Sequence, residues 1–224
     1  MISGAQLFVK ALKAEKVDTL FAYPGAQAID LFDALYDDNT IDVILPRHEQ
    51  GLGHAADGYA RSTGKPGVCL VTSGPGATNL VTAIATANYD SAPLVCFTGQ
   101  VPTSLIGNDA FQEADIVGMV RSITKYAVTV RNRESLAEII KKAFYIAKTG
   151  KPGAVLVDIP KDIQQEMGSD YYPDSVDIRG YKPVENVHIG QIKKAAALLE
   201  KAQRPLFLIG GGVRISHAEK ELTM

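Results

Sequence analysis

Short, wholly apolar runs alternate along this chain with longer amphipathic stretches, and that alternation limits the fold more than any other feature. Val68-Cys69-Leu70-Val71, Leu94-Val95-Cys96-Phe97 and Ala154-Val155-Leu156-Val157 carry no charged or hydroxyl side chain. A strand that is apolar on both faces must be covered on both, which is the condition of a parallel sheet between two helix layers. Strands are expected over 17–23, 41–45, 68–72, 94–98, 126–130 and 154–159. Helices are expected over 7–15, 28–36, 49–63, 77–88 and 135–148, the last begun by Ser135 with Glu138 at capping-box spacing. A long polar loop is expected over 99–114. The fold class is therefore α/β, a doubly wound six-stranded parallel sheet with 68–72 inside it rather than at an edge.

After Pro160 the texture changes. Residues 161–187 include Tyr171-Tyr172-Pro173 and Lys182-Pro183 without a sustained period, and read as an ordered linker. A new α/β unit is expected to follow, with a helix over 189–202, a strand over 205–209 and a turn at Gly210-Gly211-Gly212. The expected domains are 1–165, a linker over 166–187, and 188–224 as the incomplete start of a second α/β domain, because one βα unit does not bury its own core.

Composition narrows the function classes. A hydrophobic content of 46% with 21% charged residues is that of a globular protein. The net charge of −2 gives no electrostatic case for nucleic acid or an anionic membrane. No apolar run approaches the roughly 20 residues of a membrane span, and neither a signal nor a transit peptide is read at the N-terminus. Cys69 and Cys96 lie within apolar runs and read as reduced core residues, so a cytoplasmic location is expected. The four histidines have no ligand spacing with cysteine, which disfavours zinc.

In open parallel sheets, ligands bind beyond the carboxyl ends of the strands. Those ends here are Pro24-Gly25, Arg47-His48-Glu49, Ser73-Gly74-Pro75-Gly76, Gly99-Gln100 and Pro160-Lys161. Glu49 stands out as a carboxylate that opens a helix just past a strand. An acidic residue complementing the helix dipole is the commoner explanation for such a position. The small residues that follow it (Gly51, Gly53, Ala55, Ala56, Gly58) tilt the reading toward a site, since they cost helix propensity and permit close approach. Residues 73–79 resemble a phosphate-cradling turn at a helix N-terminus. Asn79 at the third glycine position and Pro75, which lacks an N–H, break the dinucleotide fingerprint. Tight strand-to-helix packing explains the turn equally well. No serine or cysteine is placed as a nucleophile beside His48 and His54, so no hydrolase triad is read.

The combination of these motifs resembles the pyrimidine-binding domain of thiamine-diphosphate enzymes. The residues that carry it are Tyr23-Pro24-Gly25, Arg47-His48-Glu49-Gln50, Ala55-Ala56-Asp57-Gly58-Tyr59-Ala60-Arg61 and Thr72-Ser73-Gly74-Pro75-Gly76-Ala77-Thr78-Asn79. Thr98-Gly99-Gln100-Val101-Pro102, Asp109-Ala110-Phe111-Gln112-Glu113-Ala114-Asp115 and Asp158-Ile159-Pro160-Lys161-Asp162 resemble the acetolactate (acetohydroxyacid) synthase branch.

The resemblance implies that Glu49 hydrogen-bonds N1′ of the cofactor's aminopyrimidine and promotes loss of the thiazolium C2 proton. Decarboxylation of pyruvate and transfer of the two-carbon unit to pyruvate or 2-ketobutyrate would follow. It places Gln112 near the reacting centre, Phe111 and Lys161 along the substrate channel, and Pro24, Gly25, Ser73, Gly76 and Asn79 around the pyrimidine. Glu113, a motif carboxylate with no assigned proton transfer, is the natural control for Glu49. The family holds the diphosphate through magnesium (Mg2+) on a further domain; Asp57-Gly58 is not that motif, and the 224 residues alone are expected to be inactive. Lys151 stands where relatives often carry an arginine that contacts FAD, and lysine lacks the planar fork. Gly210, Gly211 and Gly212 match the flavin-facing turn, so FAD stays open. A homodimer or higher homo-oligomer, and a small regulatory subunit, are the partners implied. The alternatives are a pyruvate oxidase, a 2-keto acid decarboxylase, or a catalytically silent dimerising fragment.

Overall fold

The computed structural model describes residues 1–184 and 186–224. It divides into two units, Met1–Lys182 and Pro183–Met224.

The first unit begins with a two-residue strand, β1 (Ile2–Ser3), that leads into helix α1 (Gly4–Ala14). Ser3 is extended, its Oγ accepts from the Gln6 amide, and Gln6 Oε1 accepts from the Ser3 amide, which closes a full capping box. The helix then buries Leu7, Phe8, Ala11 and Leu12 along one stripe. Strands β2 (Thr19–Ala22), β3 (Asp42–Ile44), β4 (Gly67–Val71), β5 (Leu94–Gln100), β6 (Tyr126–Thr129) and β7 (Ala154–Pro160) make one parallel sheet in the order β3-β2-β4-β5-β7-β6. As expected, this run falls inside the sheet: 68–71 lie in β4, and Thr72 directly follows it. A last short strand, β8 (Met167–Gly168), pairs antiparallel with β1. Arg133, almost fully buried, ties the two together by donating to the carbonyls of Ile2, Ser3 and Ser169.

The sheet's two faces carry separate cores because side chains alternate along each strand. Leu20, Val68, Leu70, Val95, Phe97, Val155 and Val157 pack against α1, α2 (Ile29–Tyr36) and α7 (Leu136–Lys148). Phe8 meets Phe97 edge-on, with ring centroids 4.9 Å apart. Phe21, Cys69, Val71, Leu94, Cys96 and Leu156 pack against α3 (Glu49–Thr63), α5 (Val81–Tyr89) and α6 (Ile116–Val120). Two short helices, α4 (Pro75–Thr78) and α8 (Lys161–Gln165), lie at the carboxyl ends of β4 and β7. Cys69 and Cys96 are register partners, both fully buried, and burial pushes the Cys69 thiol well up.

Four expectations need correction. The helix expected over 77–88 is two helices, because Asn79 and Leu80 are drawn into tighter bonds to Ala77. The capping box at Ser135 and Glu138 does not form. Ser135 already has helical dihedrals (φ −81, ψ −12), its hydroxyl donates to the Asn132 carbonyl, and Glu138 pairs with Lys142. The polar loop begins later than expected, since Gly99 and Gln100 extend β5 beside Ile159 and Pro160.

The fourth correction concerns the second unit, which contains α9 (Ile189–Lys201), α10 (Gly212–Ile215) and α11 (Glu219–Thr223). Residues 205–209 form no strand. A strand requires a ladder partner, and among the described residues none pairs with this run; Leu206 and Leu208 are fully exposed. Of the stretch read as linker, residues 166–182 belong to the first unit, where Tyr172, Ile178 and Tyr181 pack against the core. Among the described residues, no helix is long and apolar enough to cross a membrane.

Candidate functional site

The sheet brings the turns after β2, β3, β4, β5 and β7 to one edge, and the chemistry collects there. His48 caps α3, its Nδ1 accepting from the Gln50 amide at 3.1 Å, so Glu49 is the first helical residue. Glu49 Oε2 accepts from Asn79 Nδ2 at 2.9 Å. A Cβ added to Gly76 would lie 3.5 Å from Glu49 Oε1 and 2.8 Å from Thr72 Cγ2. Glycine at 76 thus lets this turn close on the Thr72 methyl, and among the described residues no donor meets Oε1. A Cβ on Gly25 would collide with Thr72 at 2.5 Å, and Thr72 Oγ1 accepts from the Gln27 amide at 3.2 Å. Thr72 is therefore the post against which both glycine turns close.

Two oxygens nearby are buried without a hydrogen-bond partner, Ser73 Oγ and Gln27 Oε1. Buried polar atoms left unpaired cost free energy, so two of them on the turns that meet at Thr72 suit a polar ligand.

The loop after β5 forms the neighbouring wall. Gly74, at φ +53, has no room for a side chain, since a Cβ would stand 2.5 Å from the Gln112 carbonyl oxygen. Gln112 itself has φ +59, a conformation uncommon for residues other than glycine. The Glu113 carboxylate accepts from the amides of Gly107 and Ala110, and these backbone bonds hold its carboxyl below the usual range. Glu113 is thus a structural tie of the loop, which corrects its choice as an inert control. Phe111 is 84% exposed beside Gln112. Lys161 reaches the same edge from α8, donating to the Ala26 carbonyl at 2.9 Å and pairing with Asp30 at 3.3 Å.

The structure thus gathers Gly25, Glu49, Ser73, Gly76 and Asn79, with Gln112 joined through Gly74 and Lys161 through Ala26; Pro24 is exposed beside Gly25. It does not bring Lys151 to them. Lys151 precedes β7 at the opposite end of the sheet and donates to the Asn88 carbonyl. Gly210, Gly211 and Gly212 are in the second unit, with open space where side chains would be. Two concavities of about 340 Å³ are lined by none of these residues, one around Asp18, Tyr59 and Lys65, the other around Arg133, Tyr171 and Asp177. Among the described residues no group of three or more His, Cys, Asp or Glu is placed to hold a metal ion.

The decisive comparison is with a family model. Residues 2–119, which carry every turn of the edge except that after β7, match the thiamine pyrophosphate enzyme, N-terminal TPP binding domain. The chain belongs to this family. Among curated relatives, it is 52% identical over 224 residues to a probable acetolactate synthase large subunit of Methanocaldococcus jannaschii, covering 99% of this chain and 38% of that protein. It is 49% identical to the acetolactate synthase large subunit of Buchnera aphidicola subsp. Acyrthosiphon pisum, covering 39% of it. With the Corynebacterium glutamicum acetolactate synthase large subunit it shares 47% identity over 221 residues, or 35% of that protein. The chain therefore spans well under half the length of the relatives it matches.

The residues present fit the TPP-binding domain's ligand. A flat aminopyrimidine needs a carboxylate at one ring edge, polar atoms at another, and no side chains above the turns. Glu49 Oε1, the unpaired Ser73 and Gln27 oxygens, and Gly25 and Gly76 meet those needs.

Proposed function

We propose that this chain is the pyrimidine-binding part of an acetolactate synthase large subunit, a thiamine-diphosphate-dependent transferase of branched-chain amino acid biosynthesis. The reaction joins two 2-keto acids, pyruvate with either pyruvate or 2-ketobutyrate, with loss of carbon dioxide. The observation that carries the reading is Glu49 at the carboxyl edge of the sheet, held by Asn79 through one oxygen, with no donor at the other among the described residues. When bound, thiamine diphosphate supplies a carbon acid and an electron sink. Glu49 exchanges a proton with N1′ of the pyrimidine, and Asn79 fixes which oxygen does so. Gly25 and Gly76 admit the ring face, and Ser73 offers its buried hydroxyl oxygen. Gln112 donates a hydrogen bond to the substrate oxyanion. Phe111 and Lys161 line the approach of the keto acid. Magnesium is held through the diphosphate by residues outside this chain. For FAD, Lys151 offers a single ammonium donor in place of an arginine fork, and Gly210–Gly212 match the flavin-facing turn that the resemblance implies. The assembly is a cytoplasmic homodimer, with α3 near the two-fold contact, joined by a small regulatory subunit; "large subunit" in the relatives' names supports the last. The 224 residues alone are expected to show no turnover.

The test is the substitution Glu49→Gln in the full-length protein, which keeps size and the bond to Asn79 but cannot exchange a proton. Loss of general acid–base catalysis is worth about 10²- to 10⁴-fold, so deuterium exchange at C2, followed by NMR, is expected to slow by that order with thiamine diphosphate still bound. Wild-type exchange in the variant would remove Glu49 from the mechanism.

A further inference from the structure

One side chain joins the two ends of the loop that carries Phe111 and Gln112. Gln100, the last residue of β5, is buried; its Oε1 accepts from the Val101 amide at 2.9 Å and its Nε2 donates to the Ala114 carbonyl at 3.0 Å. One amide group therefore binds the loop where it leaves the sheet and where it returns. That arrangement works in one orientation only, because a flipped amide would set its oxygen against the Ala114 carbonyl and its NH2 against the Val101 N–H.

The orientation has a cause. Asp158, 1% exposed in the middle of the sheet end, accepts from Gln100 Nε2 at 3.1 Å through Oδ2. It also accepts from Thr98 Oγ1 at 2.6 Å and Thr129 Oγ1 at 3.1 Å. Thr98, Asp158 and Thr129 are register partners on β5, β7 and β6, so three adjacent strands contribute one side chain each to the same row. A carboxylate here supplies acceptors and no donors, so the Gln100 NH2 must face it. Elsewhere the loop is closed on itself and on α8: Glu113 gathers Gly107 and Ala110, and Asp162 receives Thr103. Gln100 fixes where the two ends of the loop meet the sheet, and Asp162 holds its first turn.

We propose that Gln100 and Asp158 are positioning residues of the active site: Asp158 orients the Gln100 amide, and Gln100 sets where Phe111 and Gln112 stand over the bound cofactor. Neither touches the reacting atoms. The inference rests on the functional reading above for what the loop serves, but not for how it is held.

The experiment uses the full-length protein with thiamine diphosphate and pyruvate. Gln100→Met keeps length and removes both loop bonds; Asp158→Leu removes the acceptor; Asp158→Asn keeps a carbonyl that Gln100 can still meet. The first two are expected to raise amide hydrogen exchange of Val101 and 107–115 about tenfold or more, the scale of one or two lost hydrogen bonds. They should also lower kcat/KM for pyruvate by a similar factor, while thiamine diphosphate affinity, to which neither residue contributes a contact, stays within about twofold. Asp158→Asn should recover most of both losses relative to Asp158→Leu. Exchange raised evenly over the whole sheet, or wild-type loop exchange in Gln100→Met, overturns the proposal. Should Asp158→Leu fail to fold, Gln100→Met decides alone. Wild-type protein without pyruvate turnover sinks the functional reading instead, and the exchange comparison still judges the positioning role.

Discussion

Asp158 keeps its proton up to about pH 6, because burial disfavours the anion more than Thr98, Gln100 and Thr129 favour it, with Asp115 adding like charge. In the unfolded chain the same group ionises near 3.8. Between those values the folded state holds the extra proton, so this residue's contribution to stability is greatest at low pH, declines as pH rises, and levels off above about 6. The decline is about 3 kcal/mol at most, two pH units at roughly 1.4 kcal/mol each. Urea unfolding of wild type and Asp158→Asn between pH 4 and 7 is expected to differ by this limb, and parallel curves would show that the carboxyl titrates normally. Glu15 works in the opposite sense; burial raises it, but the ammonium groups of Lys141 and Lys148 outweigh that and hold it low, so its contribution disappears only below its ordinary range. Single residues differed in how readable they were. Glu49, Ser73, Gly76 and Asn79 could be picked from the sequence because glycine and proline mark the strand ends around them. Thr72, Gln100 and Asp158 lie in the motifs read from the sequence but received no role there, since a polar residue at or near the end of an apolar run reads as ordinary strand. Their function lies in register between strands far apart in sequence.

At the scale of elements, two stretches with the same capping spacing behave differently. Ser3 and Gln6 make the box that begins α1, whereas Ser135 and Glu138 do not, because Ser135 itself has helical dihedrals and both its amide and its hydroxyl bond Asn132. Ser3→Ala is therefore expected to cost about 1 kcal/mol, and Ser135→Ala no more than about 0.5 kcal/mol, measured as shifts in the urea midpoint at constant slope. Equal shifts would show that the hydroxyl contacts do not differ in worth. The long helices and the fully buried strands β4, β5 and β7 were plain in the sequence because each is a sustained run. Elements of two to five residues, such as β1, β8 and α6, have no period to read. Residues 205–209 fail in the other direction: the composition is that of a strand, but strand formation is decided by a neighbour and not by the run itself.

For the whole molecule, the outer face of α3 is the feature to test. Gly51 and Gly58 have open space where side chains would be, and His54 and Ala55 between them are exposed. On an isolated surface, replacing Gly58 with a residue of higher helix propensity stabilises by up to about 1 kcal/mol. At a close subunit contact the same replacement intrudes. Gly58→Gln in the full-length protein is expected to weaken self-association by sedimentation velocity while raising the unfolding midpoint of the dissociated chain, and an unchanged dimer would take α3 out of the contact. The two cysteines offer a different use of the same molecule. Cys69 and Cys96 stand side by side on β4 and β5, sealed from solvent beneath α3 and α5. An alkylating reagent meets these thiols only when the central strands part, so their labelling rate counts openings of the sheet's middle and ignores fraying at its edges. The chain thus carries an internal clock for its own global unfolding, readable by mass without adding a dye or changing a residue.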